Sequence, residues 1–306
     1  MLRLESKIKV LLVLCILGLN ARAQEAVFNT PFFLTRSMMN SSYAGMNDIE
    51  GRYFTALYKS QWTGIEGAPT TSYAGLDFPL NKSKGNNTTY GIGLISNTYA
   101  TYAYTTAVIP ISYELKLGNG ERSLRFGLAP KIINNAIDLT KAEALNPNDP
   151  TLQVLEPSYT YLDANFGISY VPIENISFGI AADNFVTNTF ADNAGRINYS
   201  NYSQRSFVVD IRFRTLQSSI EKNGFGLFID ASYRMLENTG GYFSGFFRIG
   251  DAKSNIGLGT QSNGVMMVML QASIGNAAII YNYEYNTNEL QAYTLGGHFF
   301  GIKKPF

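Results

Sequence analysis

The chain has 306 residues, a formal net charge of +1, one cysteine and one histidine. So even a charge balance leaves no electrostatic footprint for nucleic acid. A lone Cys15 and a lone His298 exclude disulfides, thiolate metal sites, paired-histidine metal sites and a conventional catalytic triad.

The first 23 residues read as a secretory signal peptide. Arg3, Lys7 and Lys9 form a basic start, Val10 to Leu19 an apolar run, and Ala21-Arg22-Ala23 a small-x-small cleavage site before Gln24. An apolar run of ten residues falls short of the ~20 that a spanning helix needs. Cys15 lies inside the run and follows Leu14, which argues against a lipoprotein signal. Residues 24–47 carry Phe28, Phe32, Phe33, Met38 and Met39 without clean alternation. They read as a periplasmic lead-in, a short helix or a plug segment.

Residues 48–306 read as one domain. Twenty Tyr, twenty Phe and 28 Gly against only 15% charged residues favour strands and tight turns. The first hairpin runs out through Tyr53-Phe54-Thr55-Ala56-Leu57-Tyr58. It turns at Gln61-Trp62-Thr63-Gly64-Ile65-Glu66-Gly67-Ala68-Pro69 and returns through Thr71 to Leu80. Further strands are expected near 89–99, 103–117, 123–138, 160–172, 176–185, 205–216, 224–236, 241–250, 254–262, 264–275, 277–287 and 292–302. Their period of two sorts the side chains onto two faces. Phe207, Val209, Ile211 and Phe213 share one face, and Asp210, Arg212 and Arg214 the other. Leu162, Ala164, Phe166, Ile168 and Tyr170 alternate in the same way with Tyr161, Asp163, Asn165, Gly167 and Ser169.

A soluble β-sandwich would bury the apolar face and wet the polar one. A transmembrane barrel would turn the apolar face to lipid and the polar face to a lumen. The barrel is the preferred reading on three grounds. Phe and Tyr recur near strand ends, as in an interfacial girdle. Gly, Ser, Asp and Arg recur on the opposite face. The longest connections, near Leu139–Tyr159 and Val186–Gln204, fall on one end, and most turns at the other end are short. No second long apolar run exists, so a membrane-spanning chain of this composition must cross with closed strands. The expected fold is all-β, an outer-membrane antiparallel barrel of about 14 strands.

No catalytic or cofactor-binding constellation accompanies this pattern. Gly91-Ile92-Gly93 and Gly224-Phe225-Gly226 lie inside strands with no helix following, so neither is a phosphate loop. His298 is read as a structural polar group on the inward face. Met266, Met267 and Met269 are read as strand residues, since no Cys or His accompanies them. The charges Glu114, Lys116, Arg125, Lys131, Asp163, Asp210, Arg212, Arg214, Asp230, Arg234, Arg248 and Glu284 face inward by register, where pairing across a closed lumen relieves the cost of burying them. Trp62, Gly64 and Pro69 mark the first outside loop. They are candidates for partner contact or for an interfacial aromatic with its turn residues.

Asn40-Ser41-Ser42-Tyr43-Ala44-Gly45, followed by Gln61-Trp62-Thr63-Gly64 and Ala68-Pro69, resembles the PorP/SprF family of type IX secretion outer-membrane proteins. The family's usual opening is Asn-Pro-Ala-Tyr-Ala-Gly, so Asn40, Tyr43, Ala44 and Gly45 match while Ser41 and Ser42 replace Pro and Ala. The resemblance implies a non-enzymatic barrel in the outer membrane of a Gram-negative bacterium. It would work without a cofactor, alongside the type IX secretion machinery and a secreted or surface-anchored partner such as a gliding adhesin. The rival expectation is a FadL-like or porin-like transporter of a small solute.

Overall fold

The structure, a computed structural model, describes residues 32–46, 52–79, 87–118, 122–138, 158–186, 205–215, 225–237 and 240–306. The expected signal peptide, residues 24–31 and most of the two long connections lie outside the described residues.

The described strands are β1 (Tyr53–Ser60), β2 (Thr70–Pro79), β3 (Thr88–Tyr99), β4 (Tyr102–Val108), β5 (Ile111–Leu117), β6 (Arg122–Ile137), β7 (Ser158–Ile173) and β8 (Ile176–Asp183). They continue as β9 (Ser206–Arg214), β10 (Gly226–Leu236), β11 (Gly240–Gly250), β12 (Asn255–Gln261), β13 (Val265–Ile274), β14 (Ala277–Asn286) and β15 (Gly297–Pro305). Apart from β4 and β5, which do not pair with each other, consecutive strands pair antiparallel, and β15 pairs with β1, so the sheet closes on itself. The expected fourth strand is broken. Both β4 and β5 lie between β3 and β6, separated by Ile109-Pro110. Pro110 has no N–H to give the ladder. The two segments make one crossing, so the barrel has fourteen. An even number returns both termini to one end.

Alternation sets the two faces as the sequence predicts. Phe207, Val209 and Ile211 are 53%, 55% and 41% exposed, while Val208, Asp210 and Arg212 are 1%, 3% and 4%. With the strands closed into a ring, exposure means the outside wall and burial means the lumen. No described helix is long and apolar enough to cross a membrane, and the apolar outer wall is what lipid covers.

Described side chains, apolar and polar, crowd the lumen. Phe228 and Phe246 point inward and are buried, whereas Tyr242 is half-buried near the rim. Met267 and Met269 pack inward with Leu57, Ile95, Val108, Ile280 and Phe299, while Met266 faces out. Many of the polar groups are paired. Asp230 accepts from Arg212 Nε and Arg248 Nη2, both at 2.9 Å. Lys59 Nζ meets Glu284 at 2.8 Å, and Asp183 lies between Lys131 and Arg234. Arg248 also covers the rings of Phe33 and Phe228 at 3.9 and 4.7 Å. Of the twelve charges expected inside, Lys116 instead stands exposed at the rim and Glu114 is half-exposed.

Two further expectations are corrected at the last strand. It begins at Gly297 rather than near residue 292, because Glu289–Ala292 forms a 3-10 turn. His298 does not face the lumen. The consecutive pair Phe299-Phe300 leaves the register of this strand ambiguous in sequence. Pairing of Gly297 with Glu284 and of His298 with Tyr283 fixes it. Phe299 is therefore inward, and His298 joins the outer aromatics, with its Nδ1 2.9 Å from the Tyr281 hydroxyl.

Candidate functional site

The lead-in has a place in the ring. Phe32–Leu34 and Ser41–Tyr43 form 3-10 turns, Arg36–Met39 makes one helical turn, and all three lie inside the barrel. Short turns suit a segment whose backbone must find partners on the wall. Asn40 caps the second 3-10 turn: its Oδ1 accepts from the Ser42 amide at 3.1 Å and from the Ser42 hydroxyl at 2.6 Å.

From there the segment is stitched to six strands. Asp210 on β9 accepts from Arg36 Nη2 at 3.0 Å, the Tyr43 hydroxyl at 2.7 Å and Asn40 Nδ2 at 3.3 Å. Arg36 also donates to Ser177 at 2.8 Å and lies 3.4 Å over the Tyr43 ring. Burial raises the Tyr43 phenol above its ordinary range, so it keeps its proton and donates to Asp210. Asn165 on β7 spans the chain, its Oδ1 accepting from the Ser41 amide at 3.0 Å and its Nδ2 donating to the Met39 carbonyl at 2.9 Å. Arg125 on β6 donates to the carbonyls of Ser42 at 2.9 Å and Ala44 at 2.8 Å. Ser112 and Thr89 add hydroxyls to the same two carbonyls. Bonds to charged groups in such a network are worth about 1.5–3 kcal/mol each.

Three glycines make room for this contact. A Cβ at Gly127 would overlap the Ser41 carbonyl carbon and the Ser42 amide; at Gly167 it would overlap Asn40 Oδ1. At Gly179 it would overlap Asp210, Tyr43 and Asn40 together. Asn40, Ser41 and Ser42 are fully buried as a result. The matching residues Asn40, Tyr43, Ala44 and Gly45 thus sit together in one seat. Gly45 leaves it at φ +68 against Thr89. A void bounded by Phe33, Arg36, Tyr43, Tyr73 and Arg212 holds about 10 Å³, room for about one water.

Trp62, Gly64 and Pro69 are elsewhere, at the opposite end. Trp62 is half-buried, Pro69 is half-buried and Gly64 is exposed. Trp62, Gly64 and Gly67 all have positive φ, at 48, 100 and 71, which is why the loop needs glycines. The loop is pinned rather than free. The Thr63 amide donates to Gly296 at 2.7 Å, the Leu295 amide donates to Thr63 at 2.8 Å, and the Ala100 amide donates to Gly67 at 2.8 Å. The first outside loop is therefore fastened to the last.

The family model for the type IX secretion system membrane protein PorP/SprF matches residues 21–303. The chain belongs to the PorP/SprF family. Its sequence matches no curated protein at a significant level. Among solved structures, the Acinetobacter baumannii outer-membrane protein Omp33 is similar at 10% identity and TM-score 0.46, over 83% of this chain and 99% of that one. The CymD monoaromatic hydrocarbon channel is similar at 11% identity and TM-score 0.48, over 92% and 95%. These are outer-membrane barrels. Barrel and PorP/SprF membership together point to the outer membrane of a Gram-negative bacterium.

Sequence reasoning left the role of this PorP/SprF motif open and missed its seat. One signal was available: Gly127, Gly167 and Gly179 occupy inward positions on three successive strands, beside the inward Arg125 and Asp210. Among the described residues no group of three or more His, Cys, Asp or Glu is placed to hold a metal. What the geometry does chemically is to bind the chain's own backbone.

Proposed function

We propose that this PorP/SprF barrel is a non-catalytic accessory component of type IX secretion that supports the export or surface attachment of a partner protein. The observation that carries the reading is the seated segment at residues 32–46, which occupies the lumen and leaves the barrel's ends as its working surfaces. A solute transporter needs a path. Here Phe33, Phe228, Phe246 and Arg248 pack together where a path would run.

The Trp62–Pro69 loop at the outside end is suited to partner contact. It is ordered by its bonds to the last loop, so docking on it would cost little ordering entropy. The short turns and the entry to the seated segment are suited to the periplasmic machinery. Gliding-type or adhesin-type cargo fits this arrangement.

The test is to delete the gene and compare the secreted and cell-surface proteomes. The expected result is selective loss of one or a few surface proteins, restored by the wild-type gene. An unchanged proteome with normal surface motility overturns the reading. So does a stable, solute-selective open pore in single-channel recordings.

A further inference from the structure

Lysine and arginine are placed unevenly on the outside wall. Within β7 to β14 every Lys or Arg, namely Arg212, Arg214, Arg234 and Arg248, is inward and buried. Among the described residues the exposed, outward-facing bases gather at the termini end, on the arc from β15 through β1 to β6, apart from Arg205 at the opposite end, which lies 3.9 Å from Glu237. Lys304 follows Ile302 on the outer face of β15, Arg52 precedes Phe54 on that of β1, and Arg122 opens β6. Lys116 stands exposed at the rim beside them.

Two of these are neighbours. Lys304 pairs in register with Phe54, and the Phe306 amide donates to the Arg52 carbonyl at 3.2 Å, which brings the chain end onto β1. Beside them lies an aromatic group. Phe78 stacks on Tyr90 at 5.1 Å and meets Phe306 edge-on at 6.0 Å. Tyr113 and Phe126 continue it, both exposed. None of the four bases has an ion-pair partner among the described residues. At the termini end the arc's described acids are Asp77, which is buried, and Glu114, which is half-exposed and 3.9 Å from Arg125. Asp48, Glu50 and Glu121 lie outside the described residues.

Aromatic rings mark the depth where hydrocarbon gives way to headgroups. Bases beside them extend their stems along the wall and put their charge among lipid phosphates. We propose that the arc from β15 to β6 binds the phosphates of anionic glycerophospholipids in the leaflet at the termini end, holding the barrel in one rotational setting toward such lipid. The outward register favours lipid over a docked acidic protein. A protein approaching from the end of the barrel would be met by inward, rim and turn positions, where the described bases are Lys116, Lys303 and Lys253 of the β11–β12 turn, while Lys82, Lys84 and Lys222 lie outside the described residues.

The full chain, folded and reconstituted in nanodiscs of mixed phosphatidylglycerol and phosphatidylethanolamine, tests this. Native mass spectrometry then reads the lipids retained. The wild type is expected to retain phosphatidylglycerol over its bulk ratio. Arg52→Gln/Lys304→Gln should cut that preference by about tenfold, and adding Arg122→Gln should abolish it. Arg205→Gln, which neutralises an exposed base at the opposite end, should leave it unchanged. Heat-modifiable gel mobility checks that each variant is folded. No preference in the wild type, or an equal preference in the triple variant, overturns the proposal. It is also overturned if the substitutions weaken capture of a glutamate-rich peptide while lipid selection stays the same.

Discussion

Asp210→Ala is the most telling change to the seat. Asp210 is 3% exposed and accepts from Arg36, Tyr43 and Asn40 at 3.0, 2.7 and 3.3 Å. Its removal leaves Arg36, itself 4% exposed, without this carboxylate. Breaking a buried ion pair from one side costs about 3–5 kcal/mol. The neighbouring pair of Arg212 with Asp230 is untouched, so the loss falls on the seated segment. Urea titration of the folded barrel in vesicles, followed by gel mobility, measures the cost. A second readout locates it. Cys15 is the chain's one cysteine, so in a Cys15→Ser background Ser41→Cys is the sole thiol and reports whether the seat is open. It should resist maleimide in the otherwise wild-type protein and react in the Asp210→Ala background. Replacing both partners, as Arg36→Met/Asp210→Leu, removes the charges together and should recover much of the stability. The reasoning is refuted if Asp210→Ala stays within about 0.5 kcal/mol of wild type and Ser41→Cys remains protected.

Gly167→Val places atoms on Asn40 and should displace the segment, costing about 1–3 kcal/mol and exposing Ser41→Cys in the same maleimide assay. Ile211→Arg puts a charge on the outer wall and should cost about 2–4 kcal/mol if it lies near the bilayer midplane; a spin label at 211 should report lipid. Trp62→Ala should leave barrel assembly intact, as judged by gel mobility, and reduce the amount of partner retained at the surface. Single-channel recordings of the wild type should show no stable opening, and Gly167→Val should raise conductance.

The outer and inner faces of most strands were legible in sequence because a period of two has only two settings. Phe207 to Phe213 against Asp210 to Arg214 leaves no third arrangement, and one slip would put Arg212 in lipid. The barrel class followed from the same pattern, together with the lack of any long apolar run after the signal. Register failed where the pattern is degenerate: Phe299-Phe300 reads equally well either way, and cross-strand pairing with Tyr283 and Glu284 decided that His298 faces outward. The break at Ile109-Pro110 could be read from the proline, but that its two halves stay in one crossing depends on both flanking strands. The seat is the clearest case of what tertiary structure alone decided. Asn40 to Gly45 carries no periodicity that assigns it a face, and its partners Arg125, Asn165 and Asp210 lie 81 to 170 residues away in sequence. Composition gives the types of groups that can bond. Only closing the ring brings Gly127, Gly167 and Gly179 side by side and leaves a gap that this backbone, with no side chain opposing it, can enter.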